Sequence, residues 1–459
     1  MASNAKVETR QFLTAYQRNF AHRKGGRSWP RWRNTVKTAH DYLDGLLSLT
    51  PGTRKNMQRL ATSVDVPDDQ LEQFIRESPW EADAIQTHVA TRIPPTIRNP
   101  QAGILVDDYG VAKQGKHSVG AQRQYSGTIG KTGNCQVAVN LVYVAPGADR
   151  NADQATWPLG IRLYLPESWT GDPARRKEAH IPTEVDFQTK PEIALDLIDR
   201  SRRLEHAFIG GDADYGSNGD FRAQLRAWNE PYVLAISPTH VLVAPATAAV
   251  VQPTGNRRRL SFPEGTRVER VQEMFHKARW TWVEWTQGTK QTLGGWFHRR
   301  RVRVAGEQRR RHATDEVAWL LLEKRKDQNG RDEFKAYLCW GVDDASLEDL
   351  VAKAHLRWAI EHYHKEAKQL LGLDRFEGRT YPGWHHHAAM VMLAYAFLSW
   401  LRTKGHEGPL PSLAQTARAV QLELATRALV EDHALKRPQA KGYATTVLRK
   451  TSAWFKPRK

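Results

Sequence analysis

A chain of 459 residues is longer than a single hydrophobic core usually supports, which predicts two or three domains. Lys and Arg number 68 against 50 Asp and Glu, a formal charge of +18, and a surplus of that size points to a polyanionic partner, nucleic acid first. The two cysteines, Cys135 and Cys339, lie too far apart for a disulfide framework or a cysteine metal site, and no apolar run approaches the ~18 residues of a membrane span. A cytoplasmic protein without a membrane partner is expected.

In chain order, residues 33–93 carry a helical pattern: "HDYLDGLLSL", then "TRKNMQRLATSV", then "PDDQLEQFIRES" with acids in its first turn. Short helices joined by tight turns suit either a helix-turn-helix DNA reader or a plain helical bundle. After the proline-rich "RIPPTIRNP" the pattern turns to strands: "GILVDDYG", ending in two aspartates, then "NCQVAVNLVYVAP" and "IRLYLP". Residues 190–203 are helical. A short strand follows and ends at Asp212 in "GGDADYG", a helix begins near Gly219, and "PYVLAIS" is the next strand. From about His240 to Arg311 the alternation is β-like and includes "RWTWVEWTQGTKQTLGGWFHRRRVRV", which predicts a β-rich insertion. The runs "EVAWLLLEKR" and "EFKAYLCWG" resume buried strands.

The segment from His355 to Arg379, "HLRWAIEHYHKEAKQLLGLDRFEGR", predicts one helix followed by a loop, and "PGWHHHAAMVMLAYAFLSWLRT" a further apolar helix. The last 24 residues, from Lys436, hold eight Lys or Arg and no acid, which predicts a mobile basic tail. The resulting division is a helical DNA-binding domain over 1–97, a catalytic core over 98–240 and 313–405 interrupted by a β-rich subdomain over 241–312, and a helical, basic segment over 406–459.

Three acids stand out by position: Asp108 and Asp212 at strand ends and Glu361 within a helix. Taken singly, each has a plain alternative as a turn cap or a solvated charge. Taken together they are a carboxylate cluster that bare repulsion would destabilise and that hard divalent cations resolve. Mg²⁺ or Mn²⁺, two ions about 4 Å apart, would serve in-line attack on a phosphodiester. In this picture Arg357 and Lys368, on the same helical stripe as Glu361, grip phosphates. The His385–His387 run predicts surface histidines at a helix start and not a zinc site, since consecutive residues point about 100° apart. "GKHSVG" lacks the phosphate-loop spacing, so no nucleotide cofactor is expected, and Lys116 and His117 within it predict DNA contacts.

The blocks "DDYGVAKQGKHSVGAQRQYSGTIGKTGNCQVAV", "WPLGIRLYLPESW", "FQTKPEIALDLI", "GDADYG" and "RWAIEHYHKEAKQLLGLDRFEGR" closely resemble those of DDE-superfamily insertion-sequence transposases. The 701-type family of the insertion-sequence-4 group is the nearest, and the likeness runs in order from roughly residue 30 to 400. The resemblance implies a mixed α/β, ribonuclease-H-like catalytic core with a β-rich insertion, preceded by helices. Its first catalytic aspartate matches Asp108, with Asp107 as the alternative, and its second matches Asp212, with Asp214 beside it. Its glutamate matches Glu361 through the signature Tyr-x2-Arg-x3-Glu-x6-Lys.

Here the tyrosine of that signature is Ala354, and the threonine after the first aspartate is Tyr109. Glu361 follows Asp212 by 149 residues, an interval long enough for the insertion. Relatives with such an insertion cut through a DNA hairpin and flip a base onto an aromatic platform, for which Trp280, Trp282, Trp285 and Trp296 are candidates. The implied protein is a cut-and-paste transposase. It binds double-stranded DNA at inverted repeats, through Arg123, Arg299 and Arg300 among others, and works as a dimer on paired ends. A transposase-derived DNA binder without catalysis is the alternative.

Overall fold

The computed structural model describes residues 5–24, 31–51, 53–147, 154–253, 259–287, 291–306, 312–327, 329–405 and 410–451. Its centre is a mixed sheet. Strand β1 (Gly103–Ala112) is flanked on one side by β2 (Lys131–Ala145) and then β3 (Ala155–Leu163), both antiparallel to their neighbours. On the other side lie β4 (Phe208–Gly211) and β5 (Tyr232–Ile236), both parallel. The order β3-β2-β1-β4-β5 is that of a ribonuclease-H-like core. Continuous apolar runs explain it: Ile104, Leu105 and Val106 are fully buried, as are Val139 and Val142 on β2, the pattern of strands covered on both faces.

The β-rich region does not form a sheet of its own. Strands β6 (Leu242–Pro245), β7 (Thr281–Gln287) and β8 (Gln291–Ala305) join β9 (Ala313–Lys326) and β10 (Asp332–Trp340), and β10 pairs with β5. Position 312 therefore falls just before a strand hydrogen-bonded to the insertion, and one 12-stranded sheet runs through both regions. A buried ionic knot ties this extension to helix α7 (Gly219–Ala227): Glu316 on β9 accepts from Arg222 at 2.9 Å, Arg226 at 2.9 Å and the Tyr232 hydroxyl at 2.6 Å.

Helices α1 (Ala5–Thr14), α2 (Val36–Ser48), α3 (Met57–Ser63), α4 (Asp68–Arg76) and α5 (Ala82–Thr91) form the N-terminal region, which is not all-helical, since Ala21–Lys24 and Arg31–Asn34 pair there as a two-stranded antiparallel sheet; α6 (Lys190–Ser201) covers one face of the central sheet. The opposite face carries α8 (Leu347–Leu356), α9 (Trp358–Leu371) and the almost wholly buried α10 (Tyr381–Thr403), against which α2, α4 and α5 pack. The N-terminal helices and the sheet thus share one core.

Three expectations change. The helix expected from His355 starts earlier, at the capping box of Ser346 and Asp349, is interrupted at Arg357, and ends at Gly372, whose φ of 76° closes it in the left-handed region. The histidine run lies in the core. His386 stacks on Trp80 at 4.0 Å and bonds the carbonyls of Ile75 and Trp80, and His387 meets the Tyr42 hydroxyl at 2.8 Å. His385 reaches the Tyr381 carbonyl at 3.0 Å. These bonds replace the water that a surface position would have supplied.

The basic tail expected from Lys436 is, over Arg437–Thr451, helix α12, packed on α11 (Leu413–His433). Small residues allow the close approach: Ala440 and Ala444 are buried one turn apart, and Arg437 pairs with Glu423 at 2.5 Å. Residues 452–459 of that tail lie outside the described residues.

Removing Glu316 would leave Arg222, itself 3% exposed, as a buried charge facing no anion. Glu316→Ala is expected to cost about 3–5 kcal/mol in denaturant unfolding. A loss near zero would show that the knot contributes nothing to stability.

Candidate active site

The site forms where the middle of β1 passes the end of β4: β1 runs on to Ala112, so Asp107 and Asp108 stand within the strand and not at its end as the sequence suggests. Asp107 and Asp108 are consecutive on β1, so their side chains leave the sheet on opposite faces. On the Asp107 face stands α9. The Arg357 guanidinium at the helix break lies 3.6 Å from Asp107 through Nη1 and 2.6 Å from Glu361 Oε1 through Nη2. The i, i+4 spacing brings Arg357 and Glu361 together as the stripe requires.

On the other face Asp108 accepts from the Tyr215 hydroxyl at 2.5 Å and pairs with the ammonium of Lys190, the first residue of α6. Of the two adjacent aspartates, the structure brings Asp107 to Arg357 and Glu361, and holds Asp108 in a separate bonded arrangement. Asp212 ends β4 and caps the short helix Ala213–Gly216, accepting from the Asp214 amide at 3.0 Å through Oδ1. That helix sits so tightly on β5 that a Cβ on Gly216 would lie 1.8 Å from the Ala235 carbonyl oxygen.

A cavity of about 420 Å³ opens here, lined by Asp107, Asp108, Asp212, Asp214, Glu361, Arg357, Lys365 and Lys368. A larger one, about 560 Å³, lies over His385, where Asp83 pairs with Arg200 and Asp196 with Arg162, each at 3.0 Å.

Burial, then the charge of Asp212, pushes the Asp107 carboxyl up to about 8. Burial, then Asp214 and Asp108, pushes Asp212 up to about 6, while Arg357 opposes the rise in both. These are acids held closer than their charges tolerate.

Lys368 does not lie beside Glu361. Its ammonium stands 4.5 Å over the ring of Tyr109, and burial lowers its pKa. Tyr109, at the position of the family's threonine, is thus a buried seat for that lysine. His364 tilts against the same ring at 5.5 Å, kept neutral by burial and then by Lys368, with its pKa lowered to about 3. Ala354 is buried inside α8.

Lys116 and His117 are exposed in the turn after β1, His117 lying 3.7 Å from Glu178, and Arg123 is exposed on the short strand Gln122–Ser126 that pairs with β2. Of the four tryptophans, Trp285 is buried and stacks on His355 at 3.9 Å, and Trp280 is partly buried against Phe275. Trp282 and Trp296 are 50% and 45% exposed and pair across β7 and β8, edge to face at 5.4 Å. They occupy the face of this hairpin opposite the one α8 covers. Arg300 is exposed. Arg299 is engaged by the Ala345 carbonyl and by the Trp319 ring at 4.7 Å.

Among the described residues no three His, Cys, Asp or Glu side chains are gathered closely enough to hold an ion as they stand. Glu361 is turned to Arg357 and Asp108 to Lys190. The donor chemistry still fits a hard cation: the cavity is lined by carboxylate oxygens, and in Asp107 and Asp212 burial and crowding disfavour the unneutralised anions. Sequence reasoning missed Lys190, Tyr215 and His364. Lys190 stands in the quoted block "FQTKPEIALDLI", but only the fold carries it to Asp108.

A protein-family profile described as DDE superfamily endonuclease matches residues 31–292, more than half of the chain, and one described as transposase DDE domain matches residues 188–397. A probable transposase for insertion sequence element IS701 from Microchaete diplosiphon is 28% identical over 191 residues, 41% of this chain and 46% of that protein. The chain therefore spans about half the length of the curated relative it matches. The cryo-EM structure of a piggyBac transposase synaptic complex with hairpin DNA aligns over 98% of this chain and 86% of that one, with a TM-score of 0.41 and 12% identity. That likeness is too remote to bear on function.

A raised carboxyl stabilises the fold while protonated. The contribution of Asp107 is therefore complete below its ordinary range near 3.8 and is lost as pH rises through about 8. A cation that takes the ionised form must displace the proton. Mn²⁺ titration by calorimetry at pH 7, in buffers of different ionisation heat, is expected to show roughly one proton released per site, mostly from Asp107. Asp107→Asn should remove that release, and a buffer-independent heat in the parent protein would refute the raised carboxyl.

Proposed function

The chain belongs to the DDE superfamily of endonucleases, and on that footing we propose that it is a transposase. It binds the terminal inverted repeats of its insertion sequence, cleaves DNA with a divalent cation, and joins the 3′ ends to target DNA in the cytoplasm. The observation that carries this reading is the meeting of Asp107, Asp212 and Glu361 around Arg357 where β1 passes the end of β4.

In this reading Asp107, Asp212 and Glu361 are the catalytic carboxylates. Asp107 takes the place that sequence alone gives to Asp108, because it faces Arg357 and Glu361. The three would hold Mg²⁺ or Mn²⁺, two ions in the full site. When bound, such an ion supplies the Lewis acidity that activates a water or 3′-hydroxyl against a phosphodiester. Arg357 keeps two like-charged carboxylates side by side in its absence, and its guanidinium is placed to bind a phosphate oxygen. Lys368, raised on Tyr109, offers a second cation to the same backbone.

The helices of residues 1–97 read the repeats, with Lys116, His117, Arg123 and Arg300 on phosphates. Trp296 with Trp282 is the aromatic surface of the β-rich region open to bases. Pairing of two ends implies a dimer on DNA.

The test is incubation with Mg²⁺ and a duplex bearing the element's own ends. Cleavage at the element boundary is expected, with Glu361→Gln lowering it at least ~10³-fold while DNA binding persists. Tight binding without cleavage under Mg²⁺ or Mn²⁺ would leave a DNA-binding protein that has lost catalysis.

A further inference from the structure

Asn140 lies on β2 directly opposite Asp107 on β1. Residues facing each other across an antiparallel ladder project to the same side with Cβ atoms about 5 Å apart, so this amide and that carboxylate are neighbours on the face that α9 covers. Asn140 is fully buried, yet neither its Oδ1 nor its Nδ2 has a hydrogen-bond partner in the protein. Its other neighbours on that face are apolar: Ala138 and Val142 stand two residues before and after it on β2, and its partner on β3 is Ile161. Leucine would suit that packing without loss. A buried amide with both ends unbonded weakens the fold, and such a residue inside a strand points to a partner that arrives later.

Asp107 supplies the reason for one. A carboxylate that ligates a cation through one oxygen needs a donor on its second to fix its direction, and the amide directly across the ladder is the group placed to give it. We propose that Asn140 is a positioning residue for the metal site. Its amide hydrogen-bonds Asp107, directly or through one ion-bound water, once the cation is seated, and holds that carboxylate in its ligating orientation. The inference rests on the reading of Asp107 as a ligand and deepens it.

The test compares the full-length parent with Asn140→Leu, Asn140→Ser and Asp107→Asn, reading the melting temperature without metal and Mn²⁺ affinity by calorimetry without DNA. Asn140→Leu should melt at or above the parent temperature, because it removes an unbonded buried amide, and should bind Mn²⁺ on the order of tenfold more weakly. Asn140→Ser, which leaves a cavity but can still donate a hydrogen bond through water, should melt lower and bind Mn²⁺ more tightly than the leucine variant. A merely structural asparagine would give the opposite pattern, a lower melting temperature in Asn140→Leu with Mn²⁺ affinity unchanged, and that result overturns the proposal. If Asp107→Asn weakens Mn²⁺ and Asn140→Leu does not, this inference fails and the site reading stands. If neither does, the site reading itself fails.

Discussion

The repulsion between carboxylates gathered where β1 passes the end of β4 is the constraint around which the rest of the molecule is arranged. Two parallel strands side by side place Asp107 and Asp212 near each other whatever their charges prefer, and burial makes the meeting worse. Arg357 answers it by facing Asp107 and Glu361 together. It can do so because the helix is interrupted at Arg357 itself, where α8 gives way to α9. On the far side of the strand the Lys190 ammonium and the Tyr215 hydroxyl hold Asp108.

Much of the fold was legible in the sequence because burial leaves a periodic trace. The unbroken apolar runs of β1 and β2 mark strands covered on both faces, and the helical pattern from residue 190 matches α6, whereas the Ser346 cap sets the start of α8 well ahead of His355. Charge density was a poorer guide. Arg437, Lys441, Arg449 and Lys450 read as a solvated tail, yet Ala440 and Ala444 between them are enough to seat a helix. Three successive histidines read as surface, yet backbone carbonyls and the ring of Trp80 give them partners inside.

At the site, spacing along one helix gave Arg357 and Glu361 correctly as neighbours, since that relation is local. Lys368 lines the same cavity, and what spacing does not show is the Tyr109 ring beneath its ammonium, contributed by another element. Asp107 and Asp108 are adjacent on one strand, and no local argument says which of them meets Arg357; the side on which α9 packs puts Asp107 there.

The continuity of the sheet bears on how such a molecule could move. From β6 through β10 to β5 and on to β1, neighbouring strands are hydrogen-bonded. The hairpin bearing Trp282 and Trp296 therefore has no linker at which to pivot relative to Asp107, and bending it means twisting a ladder of backbone bonds. A duplex seated on both would have to deform to meet the protein, so the work of distortion would fall on the DNA.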